Sequence, residues 1–302
     1  MLILIAIIAL VLIILWSVYL PFYRERTIDL ESDESKCFAP ECRSIVIDNN
    51  KDKAILFIHG FPTTPYMYSY VTEYSASFGY DIYSPLIPTF GADYKEMQKT
   101  NFSSWFAFID KYYLSLKERY KDIYVVGVSM GGAMTLKLAE KYSSTKNAMT
   151  KVAVISAPVV YNSIKDGIVT EPLAYFARII KVFLPSIGAK PVAHMEGHND
   201  GDENWHGYRG IFIKQGVSLI YSLKTIRKEL NKIKVPMIAI HDKGDKTVPF
   251  GNLAIIQRET DTESLFIETE IGTGMIHSHH ALLTYESTRK NLMDRILLFF
   301  SE

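Results

Sequence analysis

The stretch Gly127-Val128-Ser129-Met130-Gly131 fits the pattern G-x-S-x-G. Alone the pattern is weak, since ordinary glycine and serine frequencies produce it by chance in roughly one chain in ten of this length. Its surroundings make it informative. IYVVGV at Ile123–Val128 reads as a buried strand, and MGGAMTLKLAEKY at Met130–Tyr142 reads as a helix. A serine on a tight strand-to-helix turn is held in a strained backbone, and small neighbours avoid the clashes that follow; Gly127, Gly131 and Gly132 supply the room. The helix N-terminus also favours negative charge beside the hydroxyl. The chemistry implied is covalent: the Ser129 hydroxyl adds to a carbonyl carbon once a base takes its proton.

On such a fold an acid and then a histidine should follow the serine in the chain. Both occur. His241 to Pro249 (HDKGDKTVP) begins at the end of an apolar strand and offers Asp245, with Asp242 as the nearer alternative. The loop from Gly272 to His280 carries His277, His279 and His280, and spacing alone leaves all three open as the base. A tetrahedral intermediate needs donors for its oxyanion. The backbone N–H of Met130 is one; the other is expected from His59-Gly60-Phe61-Pro62, where Phe61 can donate and Pro62 cannot. His59 precedes the nucleophile and reads as structural. His194, His198, Asp200, Asp202, Glu203 and His206 crowd another stretch, which reads as a polar loop rather than a metal site. The scheme needs no metal and no cofactor.

These residues need a frame. Short apolar runs at Ala54–His59, Asp81–Ser84, Ile123–Val128, Val152–Ile155, Val235–Ile240 and Leu265–Ile271 predict strands. Helical patterns fall between them at Tyr66–Ser77, Trp105–Tyr120, Met130–Tyr142 and Gly251–Thr260, with a last one over Ser287–Phe300. This alternation predicts a mostly parallel sheet flanked by helices, an α/β architecture with its core in 51–157 and 234–302. About 75 residues separate the strands near Ser156 and Val235, far more than a usual βα connection. Residues 158–233, with helical stretches at Ala174–Leu184 and Gly216–Ile226, are therefore expected to form an inserted cap.

Residues 1–20 are almost unbroken Leu, Ile, Val and Ala, ending in Trp16 and Tyr19. A helix of about 20 residues matches the hydrocarbon thickness of a bilayer, and aromatic rings settle at its interface. No basic region precedes the run and no small-x-small site follows it, so an uncleaved membrane helix is expected rather than a signal peptide. Residues 21–50 read as a tether leading to the first edge strands. Arg24 and Arg26 favour a cytoplasmic catalytic domain, whereas a disulfide between Cys37 and Cys42, the only cysteines, would require an oxidising compartment; the two thiols could equally stay unpaired. The chain has 302 residues, of which 48% are hydrophobic, and a formal net charge of zero. No basic run gives an electrostatic footprint for nucleic acid.

Taken together, the chain resembles the bacterial monoacylglycerol lipases and the related small carboxylesterases of the α/β-hydrolase fold, over about Ala54 to Phe300. The likeness rests on HGFPTTP at His59–Pro65, YKEMQKTNFSSW at Tyr94–Trp105, GVSMGG at Gly127–Gly132, DKTVPFGN at Asp245–Asn252 and SHHALLTY at Ser278–Tyr285. It implies that the acid opens the D-x-x-V-P element, which is Asp245, and that the base closes an S-x-H element, which is His280. It also implies an oxyanion donor at Phe61 beside that of Met130. The family often has Gly where this chain has Thr63, and a β-branched residue does not easily take a positive φ, so the loop beside the oxyanion hole is expected to differ in shape. The function implied is a membrane-anchored serine carboxylic-ester hydrolase with a small-molecule ester or lipid substrate. An acyltransferase using the same acyl-enzyme, a peptidase, and a non-catalytic membrane-tethered binding protein are the alternatives. Product analysis with an added acceptor alcohol separates the first, and covalent labelling of Ser129 the last.

Overall fold

The computed structural model describes residues 1–18, 24–161, 164–165, 168–169, 176–272 and 277–302. Among them a seven-stranded sheet runs through the molecule. Its strands are β1 (Ile45–Ile47), β2 (Lys53–Ile58), β3 (Asp81–Ser84), β4 (Asp122–Val128), β5 (Lys151–Ile155), β10 (Met237–Asp242) and β11 (Ser264–Thr269). They lie in the order β1-β3-β2-β4-β5-β10-β11. Only the edge strand β1 is antiparallel, to β3.

Strand β2 shows why these runs are strands. Its residues alternate between two packed faces, as the period of two requires. Leu56 and Ile58 enter one core with Trp105, Met134 and Leu223. Ile55 and Phe57 enter the other with Tyr68, Val126 and Phe300. The first face is covered by α4 (Phe102–Lys117), α5 (Met130–Tyr142) and α7 (Ile213–Glu229), and the second by α2 (Ser69–Ala76) and α9 (Arg289–Ser301). A strand buried on both faces has no polar alternation, so it reads as an unbroken apolar word.

Each strand expected from the sequence is present within two residues at either end. Helix α4 begins three residues earlier than its periodicity suggested, because Asn101 caps it by accepting from Ser104 N–H at 2.9 Å. The Tyr66–Ser77 pattern divides into a 3-10 turn at Pro65–Tyr68 and α2.

Between β5 and β10 the described residues form two small antiparallel pairs, β6 (Ile164–Lys165) with β7 (Ile168–Val169) and β8 (Ile187–Val192) with β9 (Gly207–Ile211). They also form α6 (Ala177–Phe183) and α7. Ala174 and Tyr175, the start of one expected helix, lie outside the described residues. Helix α7 is fastened to the core: Gln215 Nε2 donates to the carbonyls of Met97 and Thr100, and Ser218 Oγ accepts from Phe102 N–H.

At the N-terminus α1 covers Leu2–Val18. Seventeen residues rise about 25 Å, short of a hydrocarbon core of about 30 Å. Among the described residues no helix is long and apolar enough to cross a membrane. Tyr19 and Leu20, the end of the expected span, lie outside them. Cys37 and Cys42 are free thiols, and burial pushes the Cys42 thiol up to about 12.

Candidate active site

Ser129 sits at the carboxyl end of β4, on the turn into α5, with φ 58° and ψ −123°. A positive φ in a residue with a Cβ costs roughly 1–3 kcal/mol and persists only where the surroundings enforce it. Here they do. A Cβ on Gly131 would lie 1.8 Å from the Ile58 carbonyl oxygen, and one on Gly127 would lie 2.3 Å from that of Gly131. Helix α5 therefore starts in close contact with the sheet, which only glycine at both positions allows. Ser129 N–H donates to the Ile155 carbonyl at 2.9 Å, which fixes the turn from the β5 side.

The loop after β2 faces this turn. A Cβ on Gly60 would come within 3.2 Å of Ser129 Cβ, so the loop passes the serine at backbone distance. The Phe61 ring is anchored below it, stacked on Trp105 at 5.8 Å between centroids and edge-on to Phe212 at 5.7 Å. Among the described residues nothing accepts from Phe61 N–H, and Met130 N–H is at the first turn of α5, where helical partners are lacking. Phe61 lines the same cavity as Ser129, and Met130 follows the serine directly in the chain.

Thr63 is not among the described residues with positive φ. Its hydroxyl donates to the His206 carbonyl at 3.1 Å, and Thr63 bridges Gly207, so this branched side chain ties the loop to the inserted segment. His59 is fully buried; burial lowers it to about 4, so the ring is neutral, and its Nε2 accepts from Ile87 N–H at 3.1 Å. It is a structural residue.

The loop at 277–280 brings three imidazoles together, and each has its own carboxylate. His280 Nδ1 lies 2.7 Å from Asp245 Oδ2. His279 Nδ1 lies 3.2 Å from Asp242 Oδ1, and His277 Nε2 lies 3.1 Å from Asp200 Oδ2. Only His280 keeps a ring nitrogen, Nε2, buried and without a partner among the described residues, and His280 lines one cavity with Ser129. No hydrogen bond joins His280 to Ser129; catalytic contacts of this kind often tighten only as substrate binds.

Asp245 and Asp242 differ in what they hold. Asp242 Oδ2 accepts from Thr269 Oγ1 at 2.8 Å and Ile271 N–H at 3.0 Å, and Oδ1 from Gly244 N–H at 2.8 Å. It stitches β10 to the strand beside it. Asp245 Oδ1 accepts from the N–H groups of Thr247 and Val248, at 2.8 and 2.9 Å. Its Oδ2 faces both His280 and His241 Nε2, the latter at 3.1 Å. Burial alone would raise Asp245, but the hydrogen bonds from His241 and His280 outweigh it and hold the carboxyl well below the usual carboxylate range. Such a carboxylate can orient one imidazole and stabilise it when charged.

Two residues of this site carry no signal in the sequence. Tyr68 donates its hydroxyl to the Ile58 carbonyl at 2.8 Å and accepts from Val128 N–H at 3.0 Å. It clamps the ends of β2 and β4, the strands that deliver the Phe61 loop and Ser129. His241 looks like the last residue of a strand, yet its Nε2 donates to Asp245.

That contact supports a prediction. His241→Phe should lower kcat on a short ester roughly tenfold, the worth of one hydrogen bond to a charged group. Losing a donor that holds Asp245 low should also move the acid limb of the pH–rate profile to higher pH. His241→Gln, which can place an amide N–H at the same carboxylate, should recover most of both. A lowered melting temperature with an unmoved profile would make His241 structural only.

The loop singled out for its histidines and acids is fastened by them. Asp200 accepts from Ser287 N–H and Oγ at 2.9 and 2.6 Å besides His277. His198 Nδ1 lies 2.6 Å from Asp202 Oδ2. Among the described residues no group of three or more such side chains is placed to hold a metal ion.

A mostly parallel sheet with a strained serine at the end of β4, an acid after β10 and a histidine before the last helix defines an α/β-hydrolase. The chain belongs to the serine aminopeptidase S33 family, whose model matches residues 49–278. It is 26% identical over 254 residues, 84% of this chain and 92% of the relative, to a thermostable monoacylglycerol lipase of Bacillus sp. strain H-257. Among solved structures it is similar to one from the metagenome-derived lipolytic enzymes LipS and LipT. The TM-score is 0.72 at 19% identity, over 87% of this chain and 98% of that one. It is also similar to the monoacylglycerol lipase of Paleococcus ferrophilus, with a TM-score of 0.65 at 14% identity over 85% and 97% of the two chains. These structural likenesses carry the fold.

Proposed function

We propose that this protein is a carboxylic-ester hydrolase of the monoacylglycerol lipase or carboxylesterase kind, working through an acyl-enzyme on Ser129. The observation that carries the reading is the chain of groups at one cavity: Asp245 holds His280 by Nδ1, which leaves Nε2 buried, unpartnered and on the wall that Ser129 shares. His280 takes the serine proton as Oγ adds to the ester carbonyl, and Asp245 stabilises the imidazolium. The N–H groups of Phe61 and Met130 receive the oxyanion. His280 then protonates the leaving alcohol, and water repeats the sequence on the acyl-enzyme. The cavity, about 280 Å³, has apolar walls that include Met67, Met195 and Trp205, which suits an acyl chain. Hydrolysis of p-nitrophenyl esters and monoacylglycerols of graded chain length tests the reading, with an aminoacyl p-nitroanilide included because the family also takes its name from aminopeptidases. No turnover of any ester would defeat it.

Residues 1–20 are proposed to hold the enzyme at a lipid surface. Support comes from α1, whose described side chains are apolar and exposed on every face; Leu2, Ile3, Leu4, Ile7 and Leu10 are each more than half exposed. Deleting Met1–Leu20 should release the enzyme from phospholipid vesicles and leave kcat/KM on a short, water-soluble ester within about twofold, since no residue of the site lies before Gly60. Vesicle flotation and an ester assay on the truncated protein check this; undiminished flotation would remove the anchor.

A further inference from the structure

The chain between α1 and β1 is fastened along its length. The Arg26 carbonyl accepts from Asn101 Nδ2 at 2.9 Å, Ile28 N–H donates to Ser104 Oγ at 2.9 Å, and Phe38 N–H donates to the Gly91 carbonyl at 2.7 Å. The Phe38 ring meets Tyr208 of β9 at 6.0 Å between centroids. This stretch therefore lies as a strap over α4, the loop after β3 and the inserted segment. The only two cysteines of the chain sit near its end. Cys42 closes a 3-10 turn at Pro40–Cys42 and is fully buried, while Cys37 is half-buried. Both border Gly91, where φ is 69°: a Cβ there would lie 2.8 Å from Cys42 Cβ and 3.6 Å from Cys37 Sγ. Burial raises the Cys42 thiol, and the neighbouring Cys37 raises it further. Cys42 also has Thr64 as a hydrogen-bond partner, and Thr64 Oγ1 donates to the His206 carbonyl at 3.2 Å. The pair thus stands where the strap, the loop that carries Phe61 and the inserted segment meet. Neither thiol lines the Ser129 cavity, and the mechanism uses neither.

We propose that Cys37 and Cys42 are a redox pair that closes into a disulfide and staples the strap beside the loop that carries Phe61. The proposal stands apart from the ester-hydrolase reading. A disulfide needs two side chains brought to one point, and the short spacing with its tight turn does this at Gly91. Closure is thiol–disulfide exchange with a small external disulfide, of the kind an oxidising compartment supplies. The half-buried Cys37 is the thiol that such a molecule reaches. Its thiolate attacks one sulfur of the external disulfide, and the other sulfur leaves as a thiolate. Cys42, deprotonated in turn, attacks Cys37 Sγ, and the second external sulfur leaves. Two protein thiols give up two protons and two electrons, and one external disulfide becomes two thiols. The reverse path is hindered. A reductant reaches only Cys37 and must expel the buried Cys42, whose raised pKa makes it a poor leaving group. The closed bond therefore acts as a lasting staple.

The test takes the full-length protein in detergent, reduced or incubated with oxidised glutathione, and alkylates the remaining thiols with iodoacetamide after denaturation. Trypsin cuts after Lys36 and Arg43, so a single peptide carries both cysteines. After oxidation that peptide should escape alkylation and weigh two hydrogens less than its reduced form. The oxidised protein should melt roughly 5 °C above the reduced one, the gain expected from closing so short a loop in a chain of this size. Cys37→Ser, a change at the half-buried position, should melt like the reduced wild type and show no rise on the same treatment. Two alkylated thiols after oxidation, glutathione left attached to Cys37, or a crosslink found only between chains would each overturn the pairing. A disulfide that forms within the peptide but leaves the melting temperature unmoved, or lowers it, overturns the staple. None of these readouts uses ester turnover, so an inactive enzyme would defeat the functional reading and leave this result standing on its own.

Discussion

Ser129→Ala is expected to abolish both ester hydrolysis and labelling by a fluorophosphonate, with the melting temperature almost unchanged. Loss of the nucleophile in a serine–histidine–acid set costs on the order of 10⁴–10⁶ in turnover. The substitution removes one oxygen and keeps the Cβ, and among the described residues that oxygen makes no hydrogen bond. The backbone at φ 58° is imposed by Gly127 and Gly131 packing under the turn and by the Ile155 carbonyl, none of which changes. A surface-like change without a named mechanism stays within about 0.5 kcal/mol. Ser129→Gly provides a control, because relieving a positive φ should raise stability by roughly 1 kcal/mol while activity is still lost. The measurements are ester turnover, gel fluorescence after labelling, and thermal unfolding. Near-native turnover in Ser129→Ala would remove the nucleophile from this reading.

How much of this was readable before the fold is set by where each signal resides. Ser129 was readable because its strained turn demands glycines within four residues, so cause and consequence share one short word. The strands were readable because double-sided burial writes apolar runs such as AILFI, and α5 because its pattern starts immediately after the serine. Asp242 and Asp245 were not separable by the same means. Both lie at the carboxyl end of β10, and what divides them is distant: Thr269 and Ile271 of the neighbouring segment claim Asp242, whereas His280, some 35 residues on, claims Asp245. The likeness to known lipases, rather than local pattern, singled out Asp245. Tyr68 and His241 left no trace either: Tyr68 acts on the ends of β2 and β4 and His241 on a carboxylate four residues on, and neither breaks a local periodicity. Strands β8 and β9 were missed because IGAKPV and GYRGI carry no apolar alternation; they are held by pairing with each other and by the bridge from Thr63 to Gly207. The expected N-terminal span was read from composition alone; α1 covers Leu2–Val18, and among the described residues no helix is long and apolar enough to cross a membrane.

His280→Ala should eliminate turnover, whereas His277→Ala and His279→Ala should each lose at most roughly tenfold. The three rings share one short loop, yet each meets a different carboxylate. His279 adopts φ 57°, so its side chain leaves the direction of its neighbours and meets Asp242 in the core. His277 stacks on Tyr285 at 3.8 Å between centroids and reaches Asp200 of the inserted segment. Burial lowers the pKa of His277, so it is a neutral structural ring, and protonating it in acid would favour unfolding. Only His280 pairs one nitrogen with Asp245 and keeps the other, Nε2, buried and without a partner among the described residues. Its backbone is fixed independently, because the N–H groups of His280 and Ala281 both donate to the Tyr285 hydroxyl, at 3.3 and 3.2 Å. Losing His277 therefore loosens the inserted segment and the stack on Tyr285, a cost that thermal unfolding should register more strongly than kcat does. Losing His279 leaves Asp242 buried with one donor fewer, again a cost in stability. Losing His280 removes the one imidazole of the three that lines the Ser129 cavity, since the other two rings are bound to carboxylates elsewhere. The three variants, assayed on one short ester and melted side by side, should thus separate into one that is folded and inactive and two that are active and less stable. Collapse of turnover in a folded His277 or His279 variant, with activity kept in His280→Ala, would move the base and undo the pairing of Asp245 with His280 on which the proposed mechanism depends.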